Sequence, residues 1–169
     1  MREKFKKLKD LVMRLYSGVA ALALVVLVIS TFAQVVGRYI LNASPSWSEE
    51  LARYAFIWCS ALGAAVALDC GGHAVITVLS DRLSPRKRDV LHFIMTLIVL
   101  VISVVLCIQG GILAAATTRM TSPALKIPMA CINISITFCG IGMVLSSINT
   151  LLELTGKKRQ PSEKGEIAS

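Results

Sequence analysis

The stretch SPSWSEELARYAFIWCSALGAAVAL, Ser44–Leu68, decides how this chain folds. It opens with Trp47, Glu49, Glu50 and Arg53, and from Ala55 to Leu68 it carries no charge at all. Leu51–Leu68 is one of four long apolar runs, the others being Leu15–Ile40, Val90–Ala116 and Met129–Leu152. Each is close to the ~20 residues that carry a helix across a ~30 Å hydrocarbon layer. Lipid supplies no hydrogen bonds to a backbone, so apolar runs of this length, which satisfy their own backbone as helices, are expected to be helical. A chain that is 55% hydrophobic and only 17% charged is therefore expected to be an all-α integral membrane protein with four transmembrane helices. Residues 1–156 form one membrane domain on this reading, and 157–169 form a polar tail expected to be disordered.

The Lys and Arg residues orient it. Arg2, Lys4, Lys6, Lys7, Lys9 and Arg14 precede or open the first run. Arg82, Arg86, Lys87 and Arg88 lie between the second and third, and Lys157, Lys158, Arg159 and Lys164 follow the fourth. The first connection has none, and the third has only Arg119 and Lys126. Positive residues stay on the cytoplasmic side, which predicts that both termini are cytoplasmic. The net charge of +8 is then juxtamembrane and speaks to membrane lipids, not to nucleic acid. The first run exceeds the ~7–15 residues of a signal-peptide core and is read as a retained span. Phe5, Leu8, Leu11, Val12 and Leu15 recur at helical spacing among lysines, as in an amphipathic segment on an anionic membrane face; a basic extension of the first span has the same pattern. Gly71-Gly72 ends the second run, and Val75, Ile76, Leu79 and Leu83 predict a short cytoplasmic interfacial helix before Pro85. Pro128 suits the first helical position of span four.

The charges of the opening stretch have a local explanation. Ser46 and Glu49 have capping-box spacing, acidic residues suit a helix start, and Glu49 stands four residues ahead of Arg53 in the favourable order. At about 100° per residue, Glu49, Arg53, Ser60, Gly63 and Ala67 share one side, with Trp47, Leu51, Tyr54, Trp58 and Leu62 opposite. The small residues Ser60, Gly63 and Ala67 predict a helix-packing face, with the charges meeting Arg38 of span one. The aromatic face is left to lipid or to another protein, and Trp58 falls about 16 Å deeper than Trp47. The five cysteines lack metal spacing and read as packing residues. His73 and His92 lie near one surface, which argues against facing haem ligands. No midplane carboxylate or broken helix pair suggests a path for solute. No catalytic residue, cofactor or metal site is expected.

VVGRYILNASPSWSEELARYAFIW, HAVITVLSDRLSPRKRDVL and TSPALKIPM resemble the small membrane subunit, DctQ type, of tripartite ATP-independent periplasmic (TRAP) transporters. The likeness runs from Leu15 to Leu152. It is most specific at Trp47-Ser48-Glu49-Glu50-Leu51-Ala52-Arg53-Tyr54, at Ser122-Pro123-Ala124-Leu125 with Pro128-Met129, and at Arg38-Tyr39. Thr77 stands where the family often has Asp. The resemblance implies a non-catalytic scaffold in a heterodimer with a large permease, for sodium-coupled uptake of a carboxylate brought by a periplasmic binding protein. It makes Arg38, Trp47, Glu49, Glu50, Arg53, Tyr54 and Trp58 candidate structural or partner-interface residues. Two other readings are an autonomous four-helix exporter, which needs a carboxylate in the first span where Gln34 is the strongly polar residue, and a haem or quinone anchor subunit.

Overall fold

The computed structural model describes residues 2–40, 46–71 and 85–157. Four helices account for nearly all of them: α1, Arg2–Tyr39; α2, Ser46–Gly71; α3, Pro85–Ala116; and α4, Ala130–Lys157. All four are long and apolar enough to cross a membrane. The amphipathic leader is not set apart from span one. Arg2–Tyr39 is a single helix of 38 residues, about 57 Å long at 1.5 Å per residue, so its first turns extend past a ~30 Å hydrocarbon layer. The expected interfacial helix between α2 and α3, with His73 and Thr77, lies outside the described residues, as do the first connection at 41–45 and the tail from 158 onward.

The helices form two hairpins, α1 with α2 and α3 with α4, joined along a seam between α2 and α4. α1 meets α4 over a short length, where the Tyr16 side chain reaches Phe138 and Gly142. α4 is therefore central: 39% of its apolar stretch is buried, against 6% for α1 and 11% for α3. The core lies where three helices meet. Tyr16 and Ala20 of α1 and Leu62 and Ala65 of α2 are buried together, with Val12, Trp58, Val66 and Met143 packed around them. The Tyr16 ring meets Phe138 edge-on at 6.5 Å, while its hydroxyl donates to the Phe138 carbonyl at 2.9 Å. Trp58 lies against the same phenyl ring at 5.9 Å.

Close approach depends on residues with almost no side chain. A Cβ on Gly142 would stand 2.7 Å from the Tyr16 ring and 2.9 Å from the Ala65 methyl. One on Gly140 would fall 2.6 Å from the Cys107 backbone nitrogen, and one on Gly110 would fall 2.8 Å from the Thr137 nitrogen. With lipid outside as apolar as the interior, helix association here rests on contact density, and these glycines let backbones touch. Buried Thr96 and Ser103 on α3 turn their hydroxyls back to the carbonyls of His92 and Val99, at 2.7 and 2.6 Å.

The side of α2 that packs is the reverse of the one the small residues suggested. Ser48, Glu50, Ala52, Ala55, Leu62 and Ala65 are buried, whereas Glu49, Arg53, Ser60 and Ala67 are exposed and Gly63 faces open space. The grouping into two faces holds and the direction does not. The inward face has its own small residues, Ala52, Ala55 and Ala65, set among Trp58 and Leu62, so it offers close approach and large contact area together. The Ser60–Gly63–Ala67 ridge offers only the first.

Two glycines test this arrangement. Gly140→Val is expected to cost about 1–3 kcal/mol, because its side chain must displace the α3 backbone. Gly63→Ala is expected to raise stability by roughly 0.5–1 kcal/mol, through helix propensity in open space. Thermal melting of the detergent-solubilised chain measures both, and equal effects would contradict the α3–α4 contact.

Candidate functional site

α2 carries a carboxylate near each end, Glu50 and Asp69, 19 positions apart along the helix. That is a rise of about 29 Å, close to the thickness of a hydrocarbon layer. The segment between them is apolar apart from Arg53 and a serine. Glu50 binds the connection between α3 and α4, and Asp69 binds groups from two other helices.

At the loop end, Glu50 is in the second turn of α2 and is buried. It reaches the connection between α3 and α4, a tight hairpin with a single antiparallel bridge between Thr121 and Pro128. Within it the Ser122 amide donates to the Ile127 carbonyl at 2.9 Å, Met129 donates to Met120 at 2.8 Å, and Lys126 donates to Ser122 at 3.2 Å. Lys126 takes a left-handed conformation, φ 55°, to close the turn. This ladder leaves the apex amides of Ala124 and Leu125 without backbone partners, and Pro123 has no N–H to offer. Oε2 of Glu50 accepts from both, at 3.0 Å from Ala124 and 2.8 Å from Leu125. Its Oε1 accepts from the Tyr54 hydroxyl one turn along α2. A carboxylate accepting two amides and a phenol is held by charge-assisted bonds. Nearby, Gln34 of α1 donates to the Ser48 carbonyl at 3.0 Å, and Asn133 of α4 donates to the Thr117 hydroxyl at 2.9 Å. Pro128 is not the first helical residue: α4 begins at Ala130, because the Pro128 position is taken up by the hairpin bridge.

At the opposite end, Asp69 accepts from the Lys9 ammonium at 2.9 and 3.1 Å and from the Ser146 hydroxyl at 3.0 Å. Three helices, α1, α2 and α4, are thereby tied through one carboxylate. Lys9 also lies 3.2 Å from Asp10, and its side chain is only 9% exposed.

The candidate residues divide accordingly. Glu50 and Tyr54 act together in the loop clamp, and Trp58 packs inside on Phe138. Glu49 and Arg53 form the anticipated pair at 3.2 Å, but about two thirds of each side chain is exposed. Such a pair is worth little to stability. Ser46 is already helical, and among the described residues its hydroxyl makes no hydrogen bond with Glu49, so the expected capping box is absent. Arg38 and Trp47 are exposed, and Arg38 makes no ion pair with Glu49 or Glu50. A cleft of about 530 Å³ opens between the start of α2 and the hairpin; Glu49, Arg53, Tyr54, Ile57, Met129 and Asn133 line it. Sequence reasoning missed Lys9, Asp69 and Tyr16. The available signal was an aspartate closing an apolar run, since a charge at the edge of the hydrocarbon needs a partner.

This geometry defines a multi-pass membrane protein whose polar side chains hold helices to one another. The family described as tripartite ATP-independent periplasmic transporters, DctQ component, matches residues 27–156, and the chain belongs to it. A Vibrio cholerae protein named sialic acid TRAP transporter small permease protein SiaQ is 30% identical over 72% of this chain and 70% of its own length. A Haemophilus influenzae protein named as a TRAP transporter small permease is 40% identical over 43% of this chain, and the chain spans 45% of that relative. The isethionate TRAP transporter permease protein DctMQ of Oleidesulfovibrio alaskensis is 27% identical over 86% of this chain but only 23% of its own length.

Glu50→Ala is expected to speed hydrogen exchange of the Ala124 and Leu125 amides by about tenfold or more, since nothing else in the hairpin accepts from them. Glu49→Ala should leave those amides unchanged; similar protection in both variants would refute the clamp. Asp69→Asn is expected to cost about 2 kcal/mol in thermal melting, by weakening a partly buried charged hydrogen bond. Lys9→Met with Asp69→Leu should recover most of that loss, because no charge is then left unpaired.

Proposed function

We propose that this chain is the small, non-catalytic permease subunit that braces a large permease during sodium-coupled uptake of a carboxylate delivered by a periplasmic binding protein. One observation carries the reading. Gln34, Lys9, Asp69, Ser146 and Asn133, polar side chains in or beside the spans, are each bonded to other groups of this chain. That is how a frame is held together, and a solute path needs such groups facing a cavity. The frame is tied by hydrogen bonds at both ends of α2 while the outward faces of α1 and α3 are apolar. Val101, Val105, Ile108 and Ile112 are all more than half exposed. Gln109 is exposed among them, and an amide at that depth is better satisfied by a partner helix than by lipid. The outward faces of α3 and of α1 beyond its first four turns are the proposed permease surface, in place of the aromatic side of α2, where Trp58 packs on Phe138.

The relative DctMQ, with more than three quarters of its length outside the aligned region, supports a physical link to a large permease. The distribution of Lys and Arg supports both termini in the cytoplasm of an inner membrane. The hairpin and its cleft then face the periplasm, where a binding protein docks transiently. The named solutes of the relatives, sialic acid and isethionate, are organic anions with a carboxylate and a sulfonate respectively. The carboxylate assignment rests on the resemblance.

Proteoliposomes test the reading. Sodium-driven uptake of the organic acid is expected when this chain, its large permease and the binding protein are all present, and none when this chain is alone. Uptake by this chain alone, or undiminished uptake without it, would overturn the scaffold role.

A further inference from the structure

We infer that the first four turns of α1 form a binding surface for anionic phospholipid. The structure fixes how this segment is turned. Lys9 and Met13 are buried, Tyr16 is buried against α4, and the Lys9–Asp69 bond holds that side against α2. The opposite side is left open. Leu8, Leu11 and Leu15 are 54%, 66% and 64% exposed and, at 100° per residue, fall within an arc of about 60°.

The charges on this segment divide unequally. Asp69 and Asp10 are both within reach of Lys9. Lys7 and Arg14 are exposed and have no acidic partner among the described residues. They are seven positions apart, two turns or about 10 Å along the axis, and both flank the leucine arc on one side. Glu3, one full turn before Lys7, is exposed and makes no ion pair with it.

An occupant of this face must bring negative charge and hydrocarbon together, at the level where α2 ends. A phosphatidylglycerol-like lipid has both: its phosphate lies at the height of two unpaired cations, and its acyl chains meet the leucines. The Lys9–Asp69 tie keeps the face from rotating inward, so the lipid contact and the three-helix tie are two sides of the same helical segment. A free phosphate would leave the leucines uncovered.

The test is native mass spectrometry of the full chain released from micelles doped with equal phosphatidylglycerol and phosphatidylcholine. Wild type is expected to retain phosphatidylglycerol preferentially, and the preference should shrink at high salt. Each basic residue near an anionic surface strengthens binding about fivefold, so Lys7→Gln with Arg14→Gln should cut the preference by up to about 30-fold. Lys7→Arg with Arg14→Lys should keep it. Equal retention of the two lipids by wild type, a preference that survives K7Q/R14Q, or displacement by glycerol phosphate would each overturn the inference. Loss of the preference when the large permease is co-purified would assign the face to protein and overturn it too. The measurement needs no uptake, so a chain that fails the transport assay yet selects phosphatidylglycerol separates the two readings.

Discussion

A membrane interior gives a polar group nothing to bond to, and the architecture follows from how α2 meets that constraint. Two of its three carboxylates, Glu50 and Asp69, are separated by roughly one hydrocarbon thickness, so each sits where charge is tolerable and partners from elsewhere in the chain are within reach. Glu50 takes up the amides that the hairpin cannot satisfy itself. Asp69 takes up Lys9 and Ser146. Between these ties the helices need only pack, and α2 against α4 is the seam through which both hairpins become one unit.

The packing along that seam is made by alternation of very small and very large residues. Gly142 and Ala65 make room for the Tyr16 ring, and Trp58 and Phe138 fill the space beside it. Since lipid removes the ordinary hydrophobic drive between helices, such contact density is the main attraction available, with hydrogen bonds as a modest supplement. The Tyr16–Phe138 bond is one such supplement. It also explains why α1, touching α4 over a short length, still holds a defined position.

The outward surface has a different character. α1 and α3 present broad apolar faces, with little on them that the chain itself satisfies. A chain whose polar groups bond to one another inside while its outer faces stay apolar suits membership of the DctQ family of TRAP transporter small permeases. The terminal end adds unpaired cations to that surface, and the loop end adds an exposed Glu49–Arg53 pair at the rim of a cleft. The two ends are thus chemically distinct.

The apolar runs alone determined the number of spans, their helical state and the short α1–α2 connection, because uninterrupted runs of this length satisfy their backbone across the hydrocarbon layer as helices. The Glu49–Arg53 pair was legible for the same local reason, four residues being one turn. Which way α2 turns was not. Its two faces differ by about 180° in projection, and both carry small residues, so only the volume of Tyr16 and Phe138 on neighbouring helices selects the side with Trp58 and Leu62. The roles of Glu50 and Asp69 were likewise decided in three dimensions. Their partners lie 74 and 75 residues away in one case, and 60 and 77 in the other, distances that no helical periodicity encodes.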